Sequence, residues 1–440
     1  MKQTPRGVRD FPPEEMRKRN FVLETIAKVY RTYGYRQLET PAFEFLDVLT
    51  AKKAGGESIN KEIFKFEDLG GRWLGLRFDL TVPVARFVAQ NPNLPKPFKR
   101  FQIGRVWRYE EPQAGRFREF WQADVDVFGS ASVESDLDTL SAVIAALKEL
   151  GFKDFAVKIN SRKLLEEIAA TAGVKREFAP DFFRIIDKLE KIGEKGVKQE
   201  LKEKNFPVSE NLFKLILQEG SPEKILAQIK KEIKDKNALR SASSISSPAL
   251  GNPAEELEEF FKLAKSFGIS QYLQLSLSLA RGLDYYTGIV FEIKIKGAEK
   301  YGSVAGGGRY DNLISLYSGK ESVPAVGISI GVERILEIMD VEKMFPEFES
   351  APKVLVALIG NTLEQAIEIA QKLRAANISA DLDLMRRNIG KLMNYANTLQ
   401  IPYVVVIGEN ELKENKFTLR NMKTGKQELL SEKDLIKKLK

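Results

Sequence analysis

Along this chain the spacing of hydrophobic positions changes period several times, and each change marks a different kind of structure. Met16, Phe21, Ile26, Val29 and Tyr30 recur at helical spacing over residues 14–33, which predicts one amphipathic helix stopped by Gly34. TPAFEF then opens an extended segment. From 63 to 128 the pattern becomes short apolar and aromatic runs separated by turns: IFKFED, GRWLGLRFD, FKRFQIGRVWRYE and FREFWQADVDVFG. The runs near 98–109 and 117–128 flank EEPQAGR and predict a long antiparallel hairpin. A helix over about 134–150 and a strand at FAVKIN follow.

Between about 162 and 268 lysine and glutamate become dense (DKLEKIGEKGVKQELKEKNFP), helical periods dominate and strand signals vanish. This predicts a helical insertion at 165–265 within a first domain spanning 1–340. Strands return at 270–298 and around 301–306, and AVGISIGVERILEIM reads as a strand entering a helix through two glycines. DVEKMFPEFESAP supplies a linker at 341–352. In residues 353–440, VLVALIG, TLEQAIEIAQKLRAANIS, ADLDLM, NIGKLMNYANTLQ and YVVVIG alternate strand with helix, the pattern of a small α/β domain.

Composition narrows the chemistry. The chain has no cysteine, which removes disulfides, thiolate nucleophiles and cysteine-bound zinc. It has no histidine either, so imidazole metal ligands and Ser-His-Asp catalysis are excluded. Positioning, arginine and lysine electrostatics, carboxylates and hard cations are what remains. Any pH dependence near 6–7 must then come from substrate, phosphates or a shifted carboxylate. The formal charge of +8 suits a polyanionic partner and equally suits a lysine-rich, heat-adapted surface. No uncharged run approaches the roughly 18 apolar residues of a membrane span. MKQTPRGVRDFPPEEMRKRN has charges and prolines where a secretory signal needs an apolar stretch, so a cytoplasmic protein is expected.

Four segments concentrate glycine, arginine, carboxylates and aromatics beyond what a core needs. RVWRYEEPQAGRFREFWQ (105–122) places Arg105, Arg108, Arg116 and Arg118 around a hairpin tip. Strand alternation would project Arg108 and Glu110 together, and the guanidinium fork suits phosphate; surface salt bridges are the alternative. LARGLDYYTGIVFEI (279–293) sets Arg281 and Asp284 beside Tyr285 and Tyr286 between apolar flanks, either as a buried ion pair or as site residues. In GSVAGGGRYDNL (302–313) three consecutive glycines allow close backbone approach to a ligand, although a lone GGG is more often a turn. It matches neither the Walker pattern nor the dinucleotide fingerprint. In GISIGVERI (327–335), Gly327, Ser329 and Gly331 leave room for a ligand against the sheet, with Arg334 on the first turn of the helix; packing alone is the other reading.

Taken together these segments resemble the histidyl-tRNA synthetase family. Arg108 to Phe120 is similar to class II motif 2, ARGLDYYTG (280–288) to the histidine-specific signature, GGGRYDNL to a second signature and GISIGVERI to motif 3. GVRDFPP and LRFDLTVPVAR (76–86) also resemble family elements, so the likeness runs along essentially the whole chain. The DLT, YYTG and QADVD variants resemble the archaeal and eukaryotic branch. The resemblance implies an α+β class II catalytic domain, an antiparallel sheet flanked by helices, with a helical insertion and a C-terminal α/β anticodon-binding domain. It also implies a soluble homodimer that uses ATP and Mg²⁺ to join L-histidine to tRNA(His).

The same resemblance implies roles for individual residues. Arg108 would bind the α-phosphate of ATP, with Arg281 on its other side, the two carrying catalysis. Arg116 and Arg334 would hold the γ-phosphate, Glu110 would line the nucleotide site, and Arg334 would stack on adenine opposite Phe120. Mg²⁺ would bridge the outer phosphates, with no ligand assigned from the protein. Asp79 and Thr81 would take histidine's α-amino group and Gln122 its carboxylate. Asp126 and Tyr286 would bracket the imidazole nitrogens, with Tyr285 and Tyr310 as walls and Ser329 on the pocket strand. Glu111-Pro112 departs from the family's usual Arg-Pro, leaving Gln113 as a candidate contact to the tRNA acceptor end. The lysine-rich insertion reads either as an acceptor-arm clamp or as a solvated helical face. One rival reading is a class II synthetase for another amino acid, such as threonine or proline, against which RGLDYYTG argues; the other is a synthetase-like regulatory subunit of the histidine-biosynthetic ATP phosphoribosyltransferase. Such paralogues typically lack the C-terminal domain and lose ATP-contacting arginines, whereas Arg108, Arg281, Arg334 and residues 353–440 are all present here.

Overall fold

The structure is a computed structural model that describes residues 3–51, 61–112, 115–206, 208–218, 221–240, 253–280, 285–319, 322–348 and 352–440. The chain divides into two compact units, Met1–Phe345 and Pro346–Lys440.

In the first unit the strands in chain order are β1 (Arg36–Gln37), β2 (Phe43–Phe45), β3 (Lys65–Glu67), β4 (Trp73–Leu76), β5 (Phe98–Trp107) and β6 (Glu119–Phe128). They continue with β7 (Phe155–Ser161), β8 (Leu273–Leu275), β9 (Ile289–Ile295), β10 (Ala305–Arg309) and β11 (Ala325–Gly331). Eight form one sheet in the order β1-β5-β6-β11-β10-β9-β7-β8, antiparallel throughout its centre; β2, β4 and β3 form a small second sheet. The β5–β6 hairpin is its longest pairing, running from Phe98↔Phe128 to Trp107↔Glu119.

The period-2 pattern of that hairpin decides which face does what. Phe101, Ala123, Val125 and Val127 point to one face, where they pack under the helices Pro13–Thr32 and Val133–Glu149. Phe101, Val125 and Val127 each contribute roughly 1.5–3 kcal/mol on burial, and the smaller Ala123 less. Arg100, Gln102, Gln122, Asp124 and Asp126 alternate with them onto the opposite face, and all five are buried. A sheet with one apolar and one buried polar face has put a site on the second.

Two buried ion pairs fasten the helices around this sheet. Arg19 of the first helix donates to both carboxylate oxygens of Glu333, at 2.7 and 2.8 Å, and Glu333 also accepts from the Trp121 backbone N–H at 3.2 Å. Arg309, at the end of β10, is held by Asp136 and by the Ser130 and Ser132 carbonyls. The region between β7 and β8 is helical: Arg162–Thr171, Ala179–Ile186, Leu189–Glu203, Glu210–Ile216, Pro222–Arg240 and Pro253–Ser266. Leu164, Phe182, Leu212, Ile225, Leu257 and Phe260 face its interior, so lysine and glutamate density did not prevent an apolar core.

The structure corrects one reading of the glycine run. Gly306, Gly307 and Gly308 are not a turn; they form the middle of β10, paired with β9 on one side and β11 on the other. A Cβ on Gly307 would overlap the backbone of Gly327, so the glycines buy close strand packing.

The second unit holds β12 (Val354–Leu358), β13 (Ala380–Leu382), β14 (Tyr403–Ile407), β15 (Phe417–Asn421) and β16 (Gln427–Leu430), ordered β13-β12-β14-β15-β16. β12 is parallel to β13 and β14, and β15 is antiparallel to β14. Alternate residues of β12 and β14 enter separate cores, one containing Val354, Val356 and Val405, the other Leu355, Ala357 and Val404. Helices cover both faces, as a near-continuous apolar strand requires.

Candidate active site

The polar face of the main sheet floors a cavity of about 850 Å³. Its lining includes Asp79, Thr81, Arg108, Glu110, Arg116, Phe120, Gln122, Asp126, Tyr285, Tyr286, Tyr310, Ser329 and Arg334, all residues the sequence had singled out. Arg281 and Gln113 lie outside the described residues.

One end is cationic and partly open. Arg108 follows directly on β5; its Nε donates to the Phe78 carbonyl at 3.0 Å and its guanidinium lies 5.3 Å from the centre of the Phe120 ring. The strand ends at Trp107, so strand alternation does not align Arg108 with Glu110; the turn brings them to 3.9 Å instead. Glu110 accepts from Arg116 at 3.4 Å. Arg334, in the first turn of the helix Val332–Val341, donates to the Ser303 carbonyl. Burial lowers the Arg334 pKa, and the nearby Arg116 and Arg108 lower it further. Glu110 and Glu292 raise it again, arginine remains protonated throughout, and three converging cations lining an open cavity are suited to an anion.

The other end is acidic and closed. Asp79 precedes the helix Thr81–Gln90; its Oδ1 accepts from the Val82 N–H at 2.9 Å, while Oδ2 has no hydrogen-bond partner among the described residues. Burial raises the Asp79 pKa to about 6. On β6, Gln122 donates to the Ser329 hydroxyl at 2.8 Å, and Ser329 hydrogen-bonds onward to Asp124. Burial, with Asp126 beside it, raises Asp124 to about 7. Asp126 accepts from the Tyr310 hydroxyl and lies 2.6 Å from Arg100 Nη2. Burial pushes Asp126 up; Arg100 and the Tyr310 hydroxyl pull it back toward the carboxylate form. Tyr285 packs between Tyr286 and Tyr310, with ring centres 4.8 and 5.8 Å away.

Two expectations change here. The space at Gly327 is not left for a ligand, because a Cβ there would overlap the carboxylate of Asp126 and sit 3.1 Å from the Tyr310 hydroxyl. Tyr310 is more than a wall, since its hydroxyl is bound to Asp126. Arg100 and Asp124 were not among the sequence candidates. Strict alternation in QADVDVF puts Gln122, Asp124 and Asp126 on one face, which is the signal that could have found Asp124.

An antiparallel sheet carrying arginines at the end of a long hairpin and on the following strand-to-helix turn defines the class: a class II aminoacyl-tRNA synthetase catalytic unit, here followed by an anticodon-binding unit. Residues 7–335 match the sequence model of the Histidyl-tRNA synthetase family, and residues 353–440 that of the Anticodon binding domain. The chain belongs to the histidyl-tRNA synthetase family. It is 37% identical over 440 residues to a histidine–tRNA ligase of Thermococcus kodakarensis, covering 99% of this chain and 97% of that one. A histidine–tRNA ligase of Clostridium tetani is 38% identical, with 99% and 97% covered. The crystal structure of histidyl-tRNA synthetase from Nostoc sp. PCC 7120 superposes with a TM-score of 0.81 at 30% identity, covering 99% of this chain and 98% of that one.

Proposed function

We propose that this chain is a histidine–tRNA ligase, activating L-histidine with ATP and passing it to the 3′ end of tRNA(His). The observation that carries the reading is the single cavity with an arginine-lined end and a buried carboxylate end. In the first step the histidine carboxylate attacks the α-phosphorus; an O–P bond forms, the bond to the β-phosphate breaks, and pyrophosphate leaves. The nucleophile is already ionised near neutral pH, so no strong base is needed and a chain without histidine can do this. In the second step a hydroxyl of the terminal ribose attacks the acyl carbon and AMP leaves.

Arg108 holds the α-phosphate and offsets the charge that builds on it, a role the family resemblance extends to Arg281. Arg116 and Arg334 hold the γ-phosphate, Glu110 orients Arg116, and adenine lies between Phe120 and Arg334. Mg²⁺ would be carried on the outer phosphates of ATP and would neutralise part of their charge; Glu62, Glu110 and Glu292, which line the same cavity, offer the oxygen donors a hard cation accepts. Asp79 and Thr81 take the α-amino group, Gln122 the carboxylate, and Asp126 and Tyr286 the ring nitrogens, with Tyr285, Tyr310 and Ser329 shaping the pocket. An analogue ring lacking an N–H takes one donor away from a buried carboxylate, which is how such a site discriminates.

Residues 353–440 bind the anticodon arm, and Gln113 meets the acceptor end. Exposed Phe43, Phe45 and Trp73 on the small sheet support a homodimer, and light scattering should give twice the chain mass. The protein acts in the cytoplasm; no helix among the described residues is long and apolar enough to cross a membrane. ATP–pyrophosphate exchange assayed with each amino acid separately tests the reading. Exchange with histidine alone is expected. No exchange would favour the regulatory subunit, which full-length likeness to ligases supports less well.

A further inference from the structure

The floor of the pocket holds more carboxylate than its proposed contacts need. Asp79, Asp124 and Asp126 are all buried, and one buried guanidinium, Arg100, reaches into their midst. Arg100 and Asp126 are directly opposite in the β5–β6 register, which fixes their approach through backbone pairing. The side chain of Arg100 also donates to the Leu80 carbonyl at 3.4 Å, between Asp79 and the helix that Asp79 caps. A buried arginine whose partners among the described residues are Asp126 and the Leu80 carbonyl is a costly residue, and it meets the substrate pocket through Asp126.

We propose that Arg100 is the positioning residue that keeps Asp126 ionised and aimed to accept an N–H from the imidazole ring, and that Asp124 is the like charge it works against. The proposal rests on the reading of this cavity as a histidine site. Without Arg100, Asp126 would lie beside a second buried carboxylate with only the Tyr310 hydroxyl in support. The cheaper state would be for Asp126 to hold a proton, and a protonated carboxyl presents its own O–H where the ring needs an acceptor. The remaining acidic groups that act on the pair are Asp79 before the helix Thr81–Gln90, Tyr310 after β10, and Tyr30 and Tyr35 on the far side of the sheet. β11 brings only Gly327 and Ser329. A second buried cation, Arg77, acts on Asp124 but is tied to the Thr40, Pro41 and Arg105 carbonyls, so Arg100 is the cation that meets Asp126. Burial, with Asp126 beside it, raises Asp124 to about 7, so near neutral pH Asp124 carries the proton the pair retains while Arg100 leaves the charge on Asp126.

The test is histidine-dependent pyrophosphate exchange by Arg100→Met, with each KM divided by the wild-type value at the same pH to cancel the titration of histidine itself. At pH 6.5 the KM ratio for histidine should be about thirtyfold or more, while KM for ATP stays within about twofold. The ratio should fall by about fivefold or more by pH 8.5, as Asp126 regains its charge. Adding Asp124→Asn to the Arg100→Met protein should also lower the ratio at pH 6.5, because without Arg100 the two carboxyls compete for one proton and asparagine leaves Asp126 no neighbour that can take the charge in its place. Arg100→Lys keeps the charge and should show a ratio of only a few-fold with no trend in pH. If Arg100→Met does not fold, Arg100→Gln carries the same predictions. A ratio near one overturns the proposal; so does a raised ratio that is flat with pH and not relieved by Asp124→Asn, which would mean a packing role alone. Wild-type exchange with an amino acid other than histidine would instead overturn the reading of the site, a separately visible result.

Discussion

The two ends of the cavity solve opposite problems. At the nucleotide end Arg108, Arg116 and Arg334 stand close together with Glu110, Glu62 and Glu292 among them, and Arg116 is half exposed, so carboxylates and solvent moderate their mutual repulsion until an anion arrives. At the amino-acid end three carboxylates are buried at the cavity floor, and repulsion is handled by the buried guanidiniums of Arg100 and Arg77, a tyrosine hydroxyl and retained protons. The open end can accept a large flexible polyanion. The closed end can distinguish one ring from another, because an unpaired group there has no water to turn to.

Removing charge from the open end should have the largest effect on rate. Arg108→Ala is expected to lower kcat of pyrophosphate exchange by about 10²–10³, the usual cost of losing one donor to developing charge. If kcat holds and only KM for ATP rises, Arg108 binds ground state and transition state alike. At the closed end the effect should move to KM: Asp126→Asn is expected to raise KM for histidine by about 10–10² and leave KM for ATP unchanged, the value of a hydrogen bond to a charged group. Equal increases in both constants would erase the division between the ends.

Gly327→Ala is a smaller change at the same place. Its methyl group would push Asp126 away from Tyr310, at a cost of about 1–3 kcal/mol shared between stability and histidine binding. The discriminating result is the same selectivity, with KM for histidine up and KM for ATP steady. The smallest effect should appear in stability. Asp79 and Asp124 have folded-state pKa values above those of an unfolded aspartate, at about 6 and about 7. The folded ligand-free protein therefore binds more protons between about pH 4 and 7, and the stability these groups contribute is lost as pH rises through that window. Asp79→Asn should flatten part of that slope in melting temperatures measured from pH 5 to 8. A Tm that climbs across the window in both proteins would contradict the raised values.

Much of the closed end could be read from sequence, and its omissions have physical causes. Asp126, Gln122 and Tyr310 fall in segments whose spacing and composition are unusual for a core, and the structure draws them together in one cavity. Arg100 sits in FKRFQ, where a Lys-Arg pair resembles the wet edge of a strand; its burial depends on register with Asp126 and on Leu80 packing above. Three glycines in a row look like a turn because glycine disfavours strands, yet here both neighbours need the space a side chain would occupy. Helix-forming stretches were the easiest to read, since Pro13–Thr32 and Val133–Glu149 carry their apolar stripe in local order. Long-range pairing left no such local trace.

A crystal structure with L-histidine and a non-hydrolysable ATP analogue bears most directly on a cavity divided in this way. The imidazole ring should donate to Asp126 while Arg108, Arg116 and Arg334 meet the phosphates. A ring bound away from Asp126, or phosphates resting on lysines outside that arginine group, would contradict the division.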